Sequence, residues 1–387
     1  MAVYKLFPTQ DATIYSYYPV MNTGLDAICE VSNKLNIFVA GETPIVSRFL
    51  TQFDTTEIVN VFNNKVKKSD CELFFKNYIS EAQGVNLDVT VELHPLAQAW
   101  SNGTGHYDDN PQVDDGCSWK YSNYSGSAVW NTNGNINGFH YTGSWDKTNE
   151  FGEDAIGGGV WFTGSNVLIP AMTQTFALRT SKDIEIDVTK VVKLWYSQSA
   201  YGEGIPNYGF ISKLSGSAEF NTSKFLQPDL KYYSIDTNTI YPPQLEFRWV
   251  DYTSSIDSSS PIISNSDIKL SLSENPQEFY QDAINRFYIN VSPLYPIRTY
   301  QTASLYTGLN YLPTSSYYAI KDLDTNEYVI NFDTKYTQIS ADSKGNYFDV
   351  YMNGLEPERS YSVLVKTIIS GSTLIIDDKN YFKVING

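Results

Sequence analysis

The chain has 387 residues and little charge, histidine or cysteine. Charged residues make up 18% of it, against about 25% in an ordinary soluble domain. What charge there is leans one way: 27 Lys and Arg against 43 Asp and Glu, a net of −16. An acidic surface repels phosphate backbones, which argues against nonspecific nucleic-acid binding. The three histidines, His94, His106 and His140, show no HxxxH or HxxE spacing, so a zinc site has no sequence support. The cysteines Cys29, Cys71 and Cys117 are odd in number and form no CxxC pair. They read as free thiols of a chain made in a reducing cytoplasm. No run approaches the roughly 18 apolar residues of a membrane-crossing helix, so no membrane partner is expected. Met1–Tyr15 lacks the apolar core and cleavage site of a secretion signal, so none is expected. GxSxG, P-loop and GxGxxG motifs are all missing.

Aromatic residues, by contrast, are abundant. Tyr (30), Phe (20) and Trp (7) together make 15% of the chain. That is too apolar for a disordered segment, and the length suffices to bury a core without staples. Neutral polar residues mixed with tyrosine suit surfaces that pack against sugars or other protein subunits.

Period-two alternation dominates. Leu87–Leu96 places Leu87, Val89, Val91 and Leu93 on one face. Gln244–Val250 turns Leu245, Phe247 and Trp249 inward against Glu246 and Arg248, and Ser360–Ile369 alternates similarly. Such runs, separated by Gly, Asn and Asp clusters, predict an all-β sandwich. Helix is expected only at Thr55–Val61, Asp187–Tyr196 and Pro276–Asn285. In the second of these, Val188, Val191, Val192 and Trp195 fall at helical spacing after a capping Asp187. The Ser-rich stretch Asp251–Asp267 predicts a linker between a sandwich over 1–250 and a smaller one over 268–387. Within the first, Trp100–Gly159 reads as a long, loop-rich insertion of the kind that carries function.

The ordered segments DATIYSYYPVMNTGLDAICEV (from Asp11), SRFLTQFD (from Ser47), LDVTVELHPLAQAW (from Leu87), IDVTKVVKLWYS (from Ile186), NYGF (from Asn207) and YYSIDTNTIYPPQLEF (from Tyr232) resemble the DNRLRE-type module. That family is a jelly-roll, carbohydrate-binding-module-like β-sandwich. In these segments Asn22 and Gly24 suit a turn needing positive φ, and the even separation of Arg48 and Asp54 allows them to share a strand face. NGLEPERSYSVLVKT (Asn353–Thr367) resembles the tyrosine-corner strand of immunoglobulin and fibronectin-III-like domains, with Tyr361 as the corner tyrosine. The fold expected is therefore a jelly-roll sandwich with a long insertion, followed by an immunoglobulin-like sandwich. Pairs of non-enzymatic sandwiches rich in Tyr, Asn and Ser resemble the structural proteins of tailed-bacteriophage virions. The resemblance implies a baseplate, tail, neck or capsid-decorating component, multimeric in the particle and contacting other virion proteins. The alternative is an adhesin that binds host surface glycans.

Two candidate sites stand out. The aromatics Trp100, Tyr107, Trp119, Tyr121, Trp130 and Trp145, in a set that extends to Tyr124, Tyr141 and Trp161, could pack the insertion down, anchor a protein interface or stack on sugar rings. The carboxylates Asp108, Asp109, Asp114 and Asp115 could form a solvated acidic loop, hold Ca²⁺ through oxygen ligands, or act as a glycosidase pair. Asp11 is a second Ca²⁺ candidate, by resemblance to the ion-carrying modules. No other cofactor is expected.

Overall fold

A computed structural model describes residues 2–387 apart from 37–42, 67–70, 86, 147–154, 164–168, 170–171, 224–225, 258, 274 and 296–308. The protein is an all-β sandwich fold built from antiparallel sheets. It divides into two compact units: Leu6–Lys68 with Glu72–Glu246, and Phe247–Gly387 with Met1–Lys5 and Ser69–Cys71.

The larger unit is organised by an eight-stranded sheet. Its central strand, Thr43–Gln52, is long enough to serve two neighbours along one edge: Ile28–Asn36 pairs with its first half and Gln10–Tyr15 with its second. On the other edge lies Phe210–Leu214, and beyond it Val89–Pro95 and Met172–Phe176. Val89, Val91 and Leu93 are buried as the alternation predicts, while Leu87 lies before the strand and is exposed. A second layer pairs Glu72–Asn77 with Ile184–Asp187. The layers meet through rings: Phe75 lies 5.7 Å and Trp195 4.6 Å from Phe210. Glu246, expected to face outward, is buried and bonded to Lys76 at 3.3 Å.

Two of the expected helices form. Thr55–Asn64 is capped by the Asp54 carboxylate, which accepts the Thr56 amide at 2.9 Å. Asp54 is thus committed to a helix start and does not pair with Arg48. Thr189–Tyr201 buries Val191, Val192 and Trp195, and Asp187 accepts the Thr189 amide at 2.8 Å. The third expected helix, Pro276–Asn285, is strand instead. Glu278–Tyr280 pairs in parallel with the C-terminal strand, and Gln277 and Asp282 take positive φ, which stops any helix there. That pairing is made with residues a hundred positions away, beyond the reach of local periodicity.

The insertion is not wholly loop. Asn133–Ile136, Phe139–Asp146 and Ala155–Phe162 form a three-stranded antiparallel sheet. Its hairpin turns on Asn137 and Gly138, both at positive φ, the two-residue geometry an Asn-Gly pair favours.

The smaller unit carries the strands Ile268–Ser273, Ile284–Pro293, Gly345–Tyr351 and Ser340–Asp342 in one sheet. Glu278–Tyr280, Ser372–Ile385, Ser360–Ile369, Ser316–Asp322 and Tyr328–Ile330 form the other. This is the strand order of an immunoglobulin-like sandwich. Tyr361 makes the corner, its hydroxyl donating to the Glu356 carbonyl at 3.0 Å. Phe247–Gly387 contains no cysteine, so the pin between sheets is aromatic: Tyr318 stacks on Phe348 at 4.0 Å, and Phe348 on Phe287 at 5.4 Å. The outer edge of Ile268–Ser273 is closed by side chains, with Asp378 accepting the Leu270 amide at 2.5 Å and Asn380 the Leu272 amide at 3.2 Å. Filling these positions stops another strand from pairing there. Residues of the Ser-rich stretch belong to this unit: Ser254 bridges to Ala341, Ile262 to Tyr311, and Ile263 is buried.

Candidate functional site

Three tryptophans of the insertion face inward. Trp100, Trp119 and Trp130 are buried, and the indole N–H groups of Trp100 and Trp130 donate to the Tyr208 and Ser118 carbonyls at 2.9 Å. These three therefore leave the set of surface aromatics: a ring with no exposed face offers nothing to a sugar or a partner. Trp119 has a different task. With Trp161 it encloses the guanidinium of Arg48, whose carbon lies 4.8 Å and 5.4 Å from the two ring centres. Arg48 is fully buried and forms a two-point pair with Glu219, at 2.6 Å and 2.9 Å, and also donates to the Gly158 carbonyl. The charges alternate outward from there. Lys213 lies 3.7 Å from Glu219 and 2.8 Å from Glu92, and Glu92 meets His94 at 3.2 Å. The His94 hydrogen bond, followed by Lys213, holds the Glu92 carboxyl down at about 2 despite its partial burial. This cluster is a buried fastening between the insertion and the main sheet.

Tyr121 is half-buried, edge-on to Tyr124 at 4.9 Å, with the Lys120 ammonium 5.8 Å from its ring centre. Trp145 lies on the Phe139–Asp146 strand, and its side chain falls outside the described residues.

The carboxylates do not converge. Asp115 accepts the Thr104 amide at 3.0 Å and its hydroxyl at 2.6 Å. Asp109 accepts the His106 amide at 2.7 Å, Asp114 bonds with Tyr124, and Asp108 is exposed. Asp11 is buried in the sandwich, bonded by the Ile235 amide at 2.8 Å and the Cys29 thiol. Burial pushes its carboxyl up to about 7, against the Ile235 bond. Among the described residues, no three His, Cys, Asp or Glu side chains come together as metal ligands. Of the calcium candidates Asp11, Asp108, Asp109, Asp114 and Asp115, four are engaged in local hydrogen bonds and Asp108 is exposed.

Of the expected aromatics whose side chains are described, Tyr107 is the one with an open ring, 45% exposed, and it does not stand alone. Its ring centre lies 5.2 Å from Tyr15 and 6.1 Å from Tyr18, and Tyr18 is edge-on to Tyr17 at 4.8 Å. Tyr17 is 37% exposed, and Val20 and Leu25 on the same loop are equally open. The run YSYYPV (Tyr15–Val20) carried the signal: three tyrosines within four residues before a proline cannot all alternate into a core.

This surface is held rigidly from below. The fully buried Asn22 donates to the Asn102 carbonyl at 2.6 Å and the Cys117 carbonyl at 2.9 Å, and its oxygen accepts the Gly24 and Gly105 amides at 3.1 Å and 2.9 Å. Asn102 answers by donating to the Gly24 carbonyl at 2.7 Å. Gly24 does not take the positive φ expected of it. It is glycine because a β-carbon there would stand 2.2 Å from the Asn102 oxygen. Asp26 accepts the Tyr107 amide through both oxygens at 3.2 Å. Burial raises the Asp26 carboxyl, and the charges of Asp108 and Asp109 add to that rise. Carboxylates thus crowd the tyrosine on this side. On the other side, Glu30 and Asp229 share Lys34 at 2.6 Å and 3.2 Å.

Among the described residues, no helix is long and apolar enough to cross a membrane. No family model, curated protein or solved structure matches this chain.

Proposed function

We propose that this chain is a non-enzymatic structural component of a bacteriophage virion, working through protein–protein contacts. The observation that supports the reading best is the Tyr17, Tyr18 and Tyr107 surface. Rigid, half-open tyrosines bring contact area at low entropic cost, which suits an interface built once and kept. The composition points the same way, because a chain with 30 tyrosines and few charges suits close packing against neighbours. Mass spectrometry of purified phage particles, with antibody-gold labelling of the same particles, tests it. Peptides in fixed stoichiometry and label at one location are the expected result. Particles without the chain would overturn the reading.

The second reading is a glycan-binding adhesin. Tyr107 favours it, since an open ring beside carboxylates is also how proteins hold a sugar, with stacking on the ring face and hydroxyls bonded to oxygens. A glycan array with the full chain and its Tyr107→Ala variant addresses it. Retention that survives the substitution would move any sugar site elsewhere.

A further inference from the structure

The tyrosine surface is apolar in its centre and strongly negative around it. Asp26 binds the Tyr107 amide and feels the charges of Asp108 and Asp109, the exposed Asp108 follows Tyr107 directly, and Asp236 lies within reach of His106 on the other flank of that residue. Glu30 also acts on the Tyr107 hydroxyl, with Lys34 opposing it. The cations nearby are already engaged. Lys34 is held between Glu30 and Asp229, and Lys120, whose amide meets Pro19, sets its ammonium over Tyr121. His106 lies 3.7 Å from Asp109. No isolated acid explains the pattern. Open rings with like-charged carboxylates on two sides form a surface that a cationic side chain satisfies twice, over the ring face and at the carboxylates.

We propose that this surface docks a basic segment of another protein, one that presents Lys or Arg together with apolar side chains. The inference rests on the assembly reading and names the chemistry of the partner at that surface. An Arg or Lys would lie against the open face of Tyr107 and Tyr18, and its charge would meet Asp108 and Asp26. Neighbouring apolar side chains would cover Tyr17, Val20 and Leu25. An acidic partner would meet the same carboxylates and be turned away.

The test uses the full chain and a fluorescent peptide rich in Lys and Arg with one Leu-Leu pair. Its twin has every Lys and Arg replaced by Glu. Binding is read by anisotropy. Two double variants are compared: Tyr107→Ser with Asp108→Asn at the surface, and Tyr280→Ser with Asp282→Asn, an exposed pair on the smaller unit. The basic peptide is expected to bind and its acidic twin not to. The surface pair should weaken binding by roughly tenfold or more, and the control pair by less than about twofold. Equal losses in the two pairs would show attraction to net charge alone and overturn the proposal. So would binding of both peptides, or of neither. Retention of a neutral oligosaccharide at this surface in place of the peptide would overturn it in favour of the glycan reading. The assembly reading falls separately, by absence of the chain from particles. A chain present in particles but indifferent to the peptide would sink only the docking inference.

Discussion

The larger unit buries the ionisable side chains Arg48 and Asp11 and handles them in opposite ways. Under Trp119 and Trp161 the charge is Arg48, met by Glu219 through two hydrogen bonds. On the tyrosine side it is Asp11, reached electrostatically by the Asp236 that also senses His106. Among the described residues Asp11 has no cation paired to it, and burial moves its carboxyl toward the neutral form instead. A buried charge must find a partner or lose its charge. The tryptophan side takes the first course and closes. The tryptophan rings fit because Gly157, Gly158 and Gly159 leave room: a β-carbon on Gly158 would sit 2.4 Å from an Arg48 nitrogen and 2.8 Å from the Trp119 ring. The tyrosine side keeps its rings open and its rim negative. One side is a closed fastening and the other an open surface, although both are aromatic.

The largest expected effect breaks the fastening. Glu219→Ala leaves the Arg48 guanidinium buried with its principal counter-charge gone, and should cost about 3–5 kcal/mol in urea unfolding. The double change Arg48→Met with Glu219→Leu removes both charges and should recover most of that loss. A single-variant cost below about 1 kcal/mol would mean that the Gly158 carbonyl, Trp119 and Trp161 hold the guanidinium without the pair.

The second effect separates the two buried charges by pH. The Asp11 carboxyl is raised to about 7 in the fold from an ordinary value near 4. Below about pH 4 it is protonated whether folded or not and costs nothing. Between there and pH 7 the unfolded chain ionises first, so stability falls as pH rises, and above pH 7 the full penalty applies. Asp11→Asn keeps an oxygen for the Ile235 amide and never ionises. It should match the parent at pH 4 and exceed it by up to about 4 kcal/mol at pH 8, taking about 1.4 kcal/mol per pH unit. An equal difference at both pH values would show that ionisation of Asp11 is not what sets its cost.

Part of this contrast was legible in the residues and part was not. The alternation of Val89, Val91 and Leu93, the helix at Thr189–Tyr201 and the Tyr361 corner all follow from local pattern. Tyr107 was one of nine loop aromatics, and nothing local set its ring apart as open. Trp100, Trp119 and Trp130 could not be assigned a side: Trp119 closes against Gly157, Gly158 and Arg48 on other strands, and Trp100 bonds the Tyr208 carbonyl about a hundred positions downstream. The three strands of the insertion were hidden by their polar faces, although Asn137-Gly138 is a readable hairpin signal. The Pro276–Asn285 segment misled because a parallel pairing to the C-terminus decides it. Asp11 is a Ca²⁺ candidate by resemblance alone, and its burial, which raises its carboxyl, is set by the sandwich around it and not by its local sequence.

The third effect tests what joins the two sides. Asn22 bonds the Cys117 carbonyl, two residues before Trp119, and carries the Gly24 turn that leads to Asp26 and so to Tyr107. Asn22→Ala leaves two carbonyls and two amides of buried or half-buried backbone without this partner. It should cost about 3 kcal/mol. It should also raise hydrogen exchange at the Gly24 and Gly105 amides, while the Thr56 amide at the Asp54 cap stays unchanged. A uniform rise at all three would point to global loosening and deny Asn22 its local role.

The smallest effect on stability is the one that bears on function. Tyr107 is 45% exposed, and its removal by Tyr107→Ser takes away two ring contacts that are already half solvated. The expected loss is about 0.5 kcal/mol, within the range of ordinary surface changes. Trp119→Ser, in contrast, empties a buried ring site beside Arg48 and should cost about 3–5 kcal/mol. Between these two substitutions, chemically alike on paper, stability and partner binding should respond in reverse. If Tyr107→Ser destabilises as much as Trp119→Ser, the tyrosines are part of the core after all and no surface remains for a partner to read. If it leaves stability intact and abolishes docking, a residue with little structural role is shown to carry the contact.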